Sequence, residues 1–337
     1  MMRLPAFEYL APRTVGDAVR YLSDGGPEAM LVAGGTDLFP NMKRRQFEPK
    51  VLVGLRGIRE LLGVRATNGG MTVGAGTTLT QVATHAGLGR RYPALATAAG
   101  LVSSPQLRNM GTLGGNVCVD TRCNYYNQSY EWRKAIGFCM KKDGDICLVA
   151  PGSRRCWAVS SSDTAPVLWA LGATARLAGV GGERTLPVAA LFKDDGIDYL
   201  ARRPDEILTD IVLPDSDGWD SVYLKLRRRG SFDFPVLGVA VAVRRADEIV
   251  REARIVLGAV ASQPREATAA GASLVGARLS SETITRAAEL AAGPSKPLDN
   301  TDFTHPYRKK VTRVYVARAL ARLAGLDTGP SSYEAGG

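Results

Sequence analysis

Four cysteines, Cys123, Cys139, Cys147 and Cys156, fall in one stretch of the chain with the spacing C-x15-C-x7-C-x8-C. Four thiolates can hold either a zinc ion or an iron–sulfur cluster. Zinc sites usually contain a short C-x2–4-C knuckle, because a tight loop supplies two tetrahedral ligands at once. None lies among these four. A fifth thiol, Cys118, is separated from Cys123 by four residues, but it belongs to a glycine turn and is not expected to be a ligand. Wide, uneven spacing suits a larger cubane cluster better than zinc, although both remain open on spacing alone. With only two histidines in the chain, a His-rich metal site is excluded.

Two glycine turns could grip an anion. Val32-Ala33-Gly34-Gly35-Thr36-Asp37-Leu38 sits where an apolar strand ends. Adjacent glycines let the backbone approach a ligand and aim successive N–H groups at one charge. Thr36 adds a hydroxyl, and a pyrophosphate would fit. An ordinary Gly-Gly turn before a helix explains the same residues equally well. The motif is neither G-x-G-x-x-G nor a P-loop. Gly111-Thr112-Leu113-Gly114-Gly115-Asn116 is a second such turn. Two nests in separate sub-domains could hold one long cofactor from both sides, and a dinucleotide has the right length.

The elements that carry these turns follow from periodicity. Val15, Ala18, Val19 and Leu22 mark a helix that Thr14 can cap. Ala29–Ala33 and Lys50–Val53 read as strands. A middle region, about 58–216, opens with short β segments such as Met71–Gly76 and continues with helices at Leu79–His85 and Pro93–Ala99. Residues 117–159 are polar, aromatic and Cys-bearing, without a sustained period. Ala165–Leu171 then resumes an apolar helix and Ala173–Leu177 a strand. Asp215-Ser216-Asp217-Gly218 marks a boundary. Beyond it, Ser221–Arg227, Gly238–Arg244 and Ile255–Val260 read as strands, with helices at about Ser281–Ala292 and Tyr307–Leu323. The Gly/Ser-rich tail 328–337 is expected to fray.

The whole chain has 337 residues, 45% hydrophobic, with 43 Lys+Arg against 33 Asp+Glu and a net charge of +10. This is too long for one minimal core and too apolar for wholesale disorder. No apolar run approaches the ~18 residues of a membrane span. Met1–Arg13 does not look like a Sec-type leader, so a cytoplasmic protein is expected. Five cysteines in this length do not form a disulfide framework. The basic residues are spread out, with short clusters at Lys43-Arg44-Arg45 and Arg227-Arg228-Arg229. That is not a nucleic-acid footprint. It leaves a solvated basic surface or a docking face for an acidic partner.

Ala33–Leu38 and Thr112-Leu113-Gly114-Gly115-Asn116 resemble the two FAD-binding motifs of the flavoprotein (medium) subunits of the molybdenum hydroxylase family, which includes xanthine dehydrogenase and carbon monoxide dehydrogenase. Ser162-Asp163-Thr164-Ala165-Pro166 resembles the family's acidic FAD contact, and Lys225 falls on the first strand of the last domain. In ordinary members the Asp follows the Gly-Gly-Asn turn within about ten residues; here the cysteine loop intervenes. Asp120-Thr121-Arg122-Cys123, Tyr126-Asn127-Gln128-Ser129 and the three later cysteines resemble the β subunits of the 4-hydroxybenzoyl-CoA reductase subfamily.

The resemblance implies an α+β fold: a two-subdomain FAD-binding domain of the vanillyl-alcohol-oxidase/CO-dehydrogenase-flavoprotein type (1–57 and 58–216), carrying an inserted iron–sulfur loop at about 117–159. A small C-terminal α/β domain follows at 217–327. It implies FAD contacts from Ala33, Gly34, Gly35, Thr36, Asp37, Leu38, Ala75, Thr112, Gly115, Asn116, Asp163 and Lys225, and a [4Fe–4S] cluster on Cys123, Cys139, Cys147 and Cys156. Asp163 would accept a ribose or ribityl hydroxyl, and Lys225 would place positive charge near the flavin ring. Tyr125, Tyr126, Phe138 and Trp157 are expected to shield the cluster. The subfamily further implies partner subunits with [2Fe–2S] centres and molybdopterin, assembled as a dimer of heterotrimers, with ferredoxin as donor. An NAD-linked hydroxylase flavoprotein and a zinc-stapled docking module are the alternatives.

Overall fold

The computed structural model describes residues 3–326, so the expected tail lies outside the described residues. The first unit is a three-stranded parallel sheet, Glu8–Leu10, Val51–Gly54 and Ala29–Val32, with Val51–Gly54 in the centre. Helix Val15–Gly25 covers it. Thr14 caps that helix by accepting the Asp17 amide at 3.0 Å, and Ala18, Val19 and Leu22 face the sheet at helical spacing.

The middle unit is a five-stranded antiparallel sheet in the order Val64–Ala66, Met71–Gly74, Ile207–Leu213, Thr174–Gly179, Gly182–Pro187. Ile207–Leu213 arrives last and takes the centre. Its inner residues are almost all buried, so it shows no alternation that periodicity could detect. Helices Leu79–Thr84, Pro93–Gly100 and Thr164–Ala170 belong to the same core, with Leu79, Leu95 and Leu168 inside it.

The last unit is a four-stranded antiparallel sheet in the order Arg265–Glu266, Ile249–Gly258, Leu237–Ala246, Trp219–Leu226. Its side chains alternate between two cores. Tyr223, Ala240, Ala242 and Val256 join the core of the middle unit. Val222, Leu224, Val239 and Val241 pack with helices Ser281–Ala291 and His305–Leu323. The sheet is thus buried on both faces, and the last two units form one body. No helix among the described residues is long and apolar enough to cross a membrane.

The stretch from 117 to 159 holds one short helix, Tyr130–Ala135, capped by Ser129, which sequence periodicity did not reveal. The stretch closes on itself: the backbones of Arg122 and Val159 exchange hydrogen bonds of 2.8 and 2.7 Å. It is docked on all three units. Gln46 Nε2 donates to Tyr126 O at 2.5 Å, the Asn124 amide donates to Asn300 O at 2.8 Å, and Gly196 N donates to Cys156 O at 2.9 Å.

Candidate functional site

The two glycine turns meet. A Cβ on Gly34 would fall 2.0 Å from the carbonyl oxygen of Met110, so only glycine lets the first turn lie against the second. Gly35 has φ of 70°, and its missing side chain would strike the Phe39 ring rather than enter ligand space. Among the described residues, no acceptor takes the N–H groups of Gly34, Gly35 or Thr36. Three successive free donors on a half-buried turn are what an anion nest requires. Ala33 leads into this nest from the strand. Leu38 anchors the far side in a cluster with Val32, Met42 and Leu52.

The second turn differs from the expectation of a plain glycine loop. Residues Leu113–Val117 form one turn of helix, and Thr112 is its N-cap, accepting the Gly115 amide at 3.0 Å. The Gly114 amide donates to Ala75 O at 2.8 Å, and a Cβ there would meet the Ala75 side chain at 2.7 Å. The Gly114, Gly115 and Asn116 amides are therefore already committed, and the free donors come from the first turn. Asn116 points elsewhere. Its Oδ1 accepts from Ser162 Oγ (2.9 Å), Thr164 N (3.1 Å) and Thr164 Oγ1 (2.7 Å). This knot brings the Gly-Gly-Asn turn and the Ser-Asp-Thr segment together across the whole cysteine loop. Its Nδ2 has no acceptor among the described residues and is available to a ligand.

Asp163 precedes helix Thr164–Ala170 but does not cap it. Its carboxylate is buried and accepts from Tyr223 OH at 2.8 Å and Lys225 Nζ at 2.9 Å. Lys225 also donates to Leu101 O at 3.0 Å, and its side chain is only 1% exposed. The expected flavin-side lysine is thus a buried partner of the expected ribityl acceptor, and the two tie the middle unit to the last. Burial pushes Asp163 up and Lys225 down from their ordinary values, each offset in part by the other's charge.

The four cysteines are all buried and line one small cavity. Tyr125, Tyr126, Leu148 and Val149 supply apolar walls. A tight turn, in which Lys142 N (2.9 Å) and Gly144 N (3.2 Å) both reach Cys139 O, brings Cys139 back towards Cys147. Gly196 backs Cys156, since a Cβ there would lie 2.7 Å from Cys156 Sγ. The Ala158 amide donates to that sulfur at 3.4 Å. Burial pushes the Cys123 thiol up to about 12 and Cys156 to about 11. Buried neutral thiols become ligands only when a cation displaces their protons. Among the described residues, no three His, Cys, Asp or Glu side chains converge on one point to hold a single ion. The thiols surround a space instead. The buried polar atoms that lack a partner, among them Asp120 Oδ2, Arg122 Nε, Asn127 Oδ1 and Arg133 Nε, all belong to this loop or to residues packed on it. None of these residues lines the cysteine cavity.

Two expected shields lie elsewhere. Phe138 stacks on Tyr130 at 5.8 Å, and Trp157 lies against the Arg155 guanidinium at 3.5 Å; neither lines the cavity. Tyr125 and Tyr126 do. Cys118 is outside the cavity and packs on the core of the middle unit, where burial raises its thiol.

Three residues to which sequence reasoning gave no role are prominent. Lys141 is a buried cation donating to Asp120 Oδ1 (2.8 Å), Thr121 Oγ1 (2.7 Å) and Gly196 O (2.6 Å), and its charge favours the Cys156 thiolate. Tyr223 holds Asp163. Arg122, beside Cys123, forms an ion pair with Asp37 of the first turn. The lysine was visible only as one of many basic residues, and Arg122 only as part of the Asp120-Thr121-Arg122-Cys123 resemblance, with no role of its own.

Residues 5–216 match the family model described as "FAD binding domain in molybdopterin dehydrogenase", and residues 221–323 match "CO dehydrogenase flavoprotein C-terminal domain". The chain is 30% identical over 319 residues to the carbon monoxide dehydrogenase medium chain of Hydrogenophaga pseudoflava, covering 94% of this chain and 96% of that one. It is 29% identical to the nicotinate dehydrogenase FAD-subunit of Eubacterium barkeri, over 82% of each. Among solved structures, reconstituted CO dehydrogenase from Oligotropha carboxidovorans superposes with a TM-score of 0.81 at 28% identity, covering 97% of this chain and all of that one. Two matched domains, a shared fold and a glycine nest with free donors lead to one assignment: the chain belongs to the FAD-binding medium subunits of the molybdenum hydroxylase family.

Proposed function

We propose that this chain is the electron-relay subunit of a molybdenum hydroxylase-family complex, holding FAD at its glycine turns and a [4Fe–4S] cluster on Cys123, Cys139, Cys147 and Cys156. The observation that carries the proposal is the convergence of four buried cysteines on one apolar cavity. Bound FAD supplies exchange of electron pairs on one side and single electrons on the other, and the cluster supplies single-electron transfer.

The chain's own residues have definable tasks. Gly34, Gly35 and Thr36 direct amides at the pyrophosphate, helped by the turn charge of Asp37 being neutralised by Arg122. Thr112, Gly115 and Asn116 close the opposite side, Asn116 through its free Nδ2, and Ala75 seats the second turn. Asp163 and Lys225 brace the flavin end of the groove. Tyr125 and Tyr126 exclude water from the cysteine cavity, and Lys141 adds a positive charge beside it, which favours the reduced state of a bound cluster.

The complex we propose is of the 4-hydroxybenzoyl-CoA reductase type, cytoplasmic, with a [2Fe–2S] small subunit and a molybdopterin large subunit in a dimer of heterotrimers. Electrons enter from ferredoxin, and in the large subunit two of them, with two protons, replace the phenolic hydroxyl of an aromatic CoA thioester by hydrogen, with release of water. The support is the loop itself, with its Asp120-Thr121-Arg122-Cys123 start and its cavity.

Metal, sulfide and flavin analysis of the purified chain tests the reading. About four irons with equal sulfide, and one FAD released by acid, are expected. Zinc in place of iron would sink the cluster. A second reading, an NAD-linked hydroxylase flavoprotein, is favoured by relatives whose names describe dehydrogenases, such as the nicotinate enzyme. Rapid bleaching of the flavin by reduced NAD, with none by reduced ferredoxin, would select it.

A further inference from the structure

The cysteine loop and the flavin turn touch at one side chain. Arg122 immediately precedes Cys123, and its side chain is 7% exposed. Its guanidinium is ion-paired with Asp37, and its Nη1 donates to Asn41 Oδ1 at 3.3 Å. Asn41 Nδ2 in turn donates to Asp37 Oδ2 at 3.0 Å, which closes a three-residue ring. Phe234, from the last unit, lies 4.5 Å over the same guanidinium. The Arg122 backbone is fixed by its paired bonds to Val159 at the stem of the loop. One residue away from Asp37, Thr36 presents a free amide to the nest.

We infer that Arg122 is a positioning residue through which the cysteine loop sets the first glycine turn for flavin, so that cluster occupancy and FAD affinity are coupled. The second half of this inference rests on the cluster proposed above. Arg122 has one carboxylate partner, and its Nε lacks any acceptor among the described residues. If the loop loses its cluster, the segment carrying Cys123 loosens and the guanidinium contacts to Asp37 and Asn41 go with it. Asp37 then re-orients toward water, and the adjacent amides lose their common direction. By linkage, bound FAD must favour cluster retention by the same factor.

The test is a double-mutant cycle on FAD affinity, measured by fluorescence titration of the deflavinated full-length chain. Arg122→Met is expected to weaken FAD about tenfold, within the usual span of such couplings. Asp37→Asn should do the same, and the double variant should be little worse than either. Arg122→Lys keeps the charge without the guanidinium and should recover only part of the affinity. Chelation of iron from the unaltered chain should also weaken FAD about tenfold, and should change nothing further in Arg122→Met. An unchanged affinity in Arg122→Met, or single effects that simply add, would overturn the positioning role. If Arg122→Met does not fold, Arg122→Lys with affinity equal to the unaltered chain overturns it as well. A purified chain without iron would overturn the coupling and the cluster together, while the cycle still decides the role of Arg122 by itself.

Discussion

Replacing Lys225 with methionine should destabilise the protein by an amount set by burial. Lys225 and Asp163 have side chains 1% and 3% exposed, 2.9 Å apart, on strand Trp219–Leu226 and at the start of helix Thr164–Ala170. Methionine fills the volume of the lysine stem but removes the charge. Asp163 keeps only the Tyr223 hydroxyl, and Leu101 O loses a donor. Removing one member of a buried pair costs about 3–5 kcal/mol, because the other charge stays behind. For a chain of this length the unfolding entropy is about 0.7 kcal/mol per degree, so the melting temperature should fall by ~4–7 °C. The sign of the pH effect follows from Asp163. Burial already raises its pKa, and without Lys225 that rise increases. A raised carboxyl contributes stability below its unfolded pKa and loses it as pH climbs through the folded value, so the deficit should be larger at pH 7 than at pH 5. Scanning calorimetry of Lys225→Met and of the double variant Asp163→Asn/Lys225→Met reads both effects, and the double variant should regain part of the loss. A single variant that melts within a degree of the parent, or a double variant no better than the single, would refute the reasoning.

Other outcomes follow from the same geometry. Gly34→Ala should abolish FAD retention while the far-ultraviolet dichroism stays near normal, because its Cβ would collide with Met110 O and part the two turns. Gly196→Ala, far from the glycine turns in sequence, should cost most of the iron by displacing Cys156, with colorimetric iron analysis as the check. The iron-free chain should lose thermal stability as pH rises above about 9, the ordinary thiol value, because Cys123 and Cys156 are raised in the folded state and oppose ionisation there. The iron-loaded chain, whose thiols are already deprotonated, should show less of that loss between pH 9 and 11.

Sequence periodicity captured the elements with one buried face. Helices Val15–Gly25 and Ser281–Ala291 lie close to where their apolar spacing put them; strand Trp219–Leu226 was legible too, although its two faces enter different cores. It failed at one central strand of the middle sheet and where a polar contact decides. Ile207–Leu213 is buried on both faces and so carries no alternation. Helix Leu113–Val117 is too short for a period and is held by the Thr112 cap. At the site, glycines could be read because their chemistry is backbone chemistry, and the cysteines because thiols are rare. The pairing of Asp163 with Lys225, the committed amides of the second turn and the role of Arg122 arise from contacts more than sixty residues apart in two of those cases, for which the sequence holds no local signal.

The knot of Asn116 with Ser162 and Thr164 has a consequence for how such a loop could be acquired. It joins residues 48 apart, while the excursion between them returns to its point of departure. Chain closure depends only logarithmically on length. Stretching a link of about ten residues to one nearly five times longer raises the closure entropy by only ~1.4 kcal/mol. The surrounding scaffold can therefore fold with the excursion still slack, and the thiols can be filled afterwards. Biogenesis would then proceed in two stages, polypeptide first and inorganic centre second, and an insertion of this size would enter an existing flavin framework without remaking it.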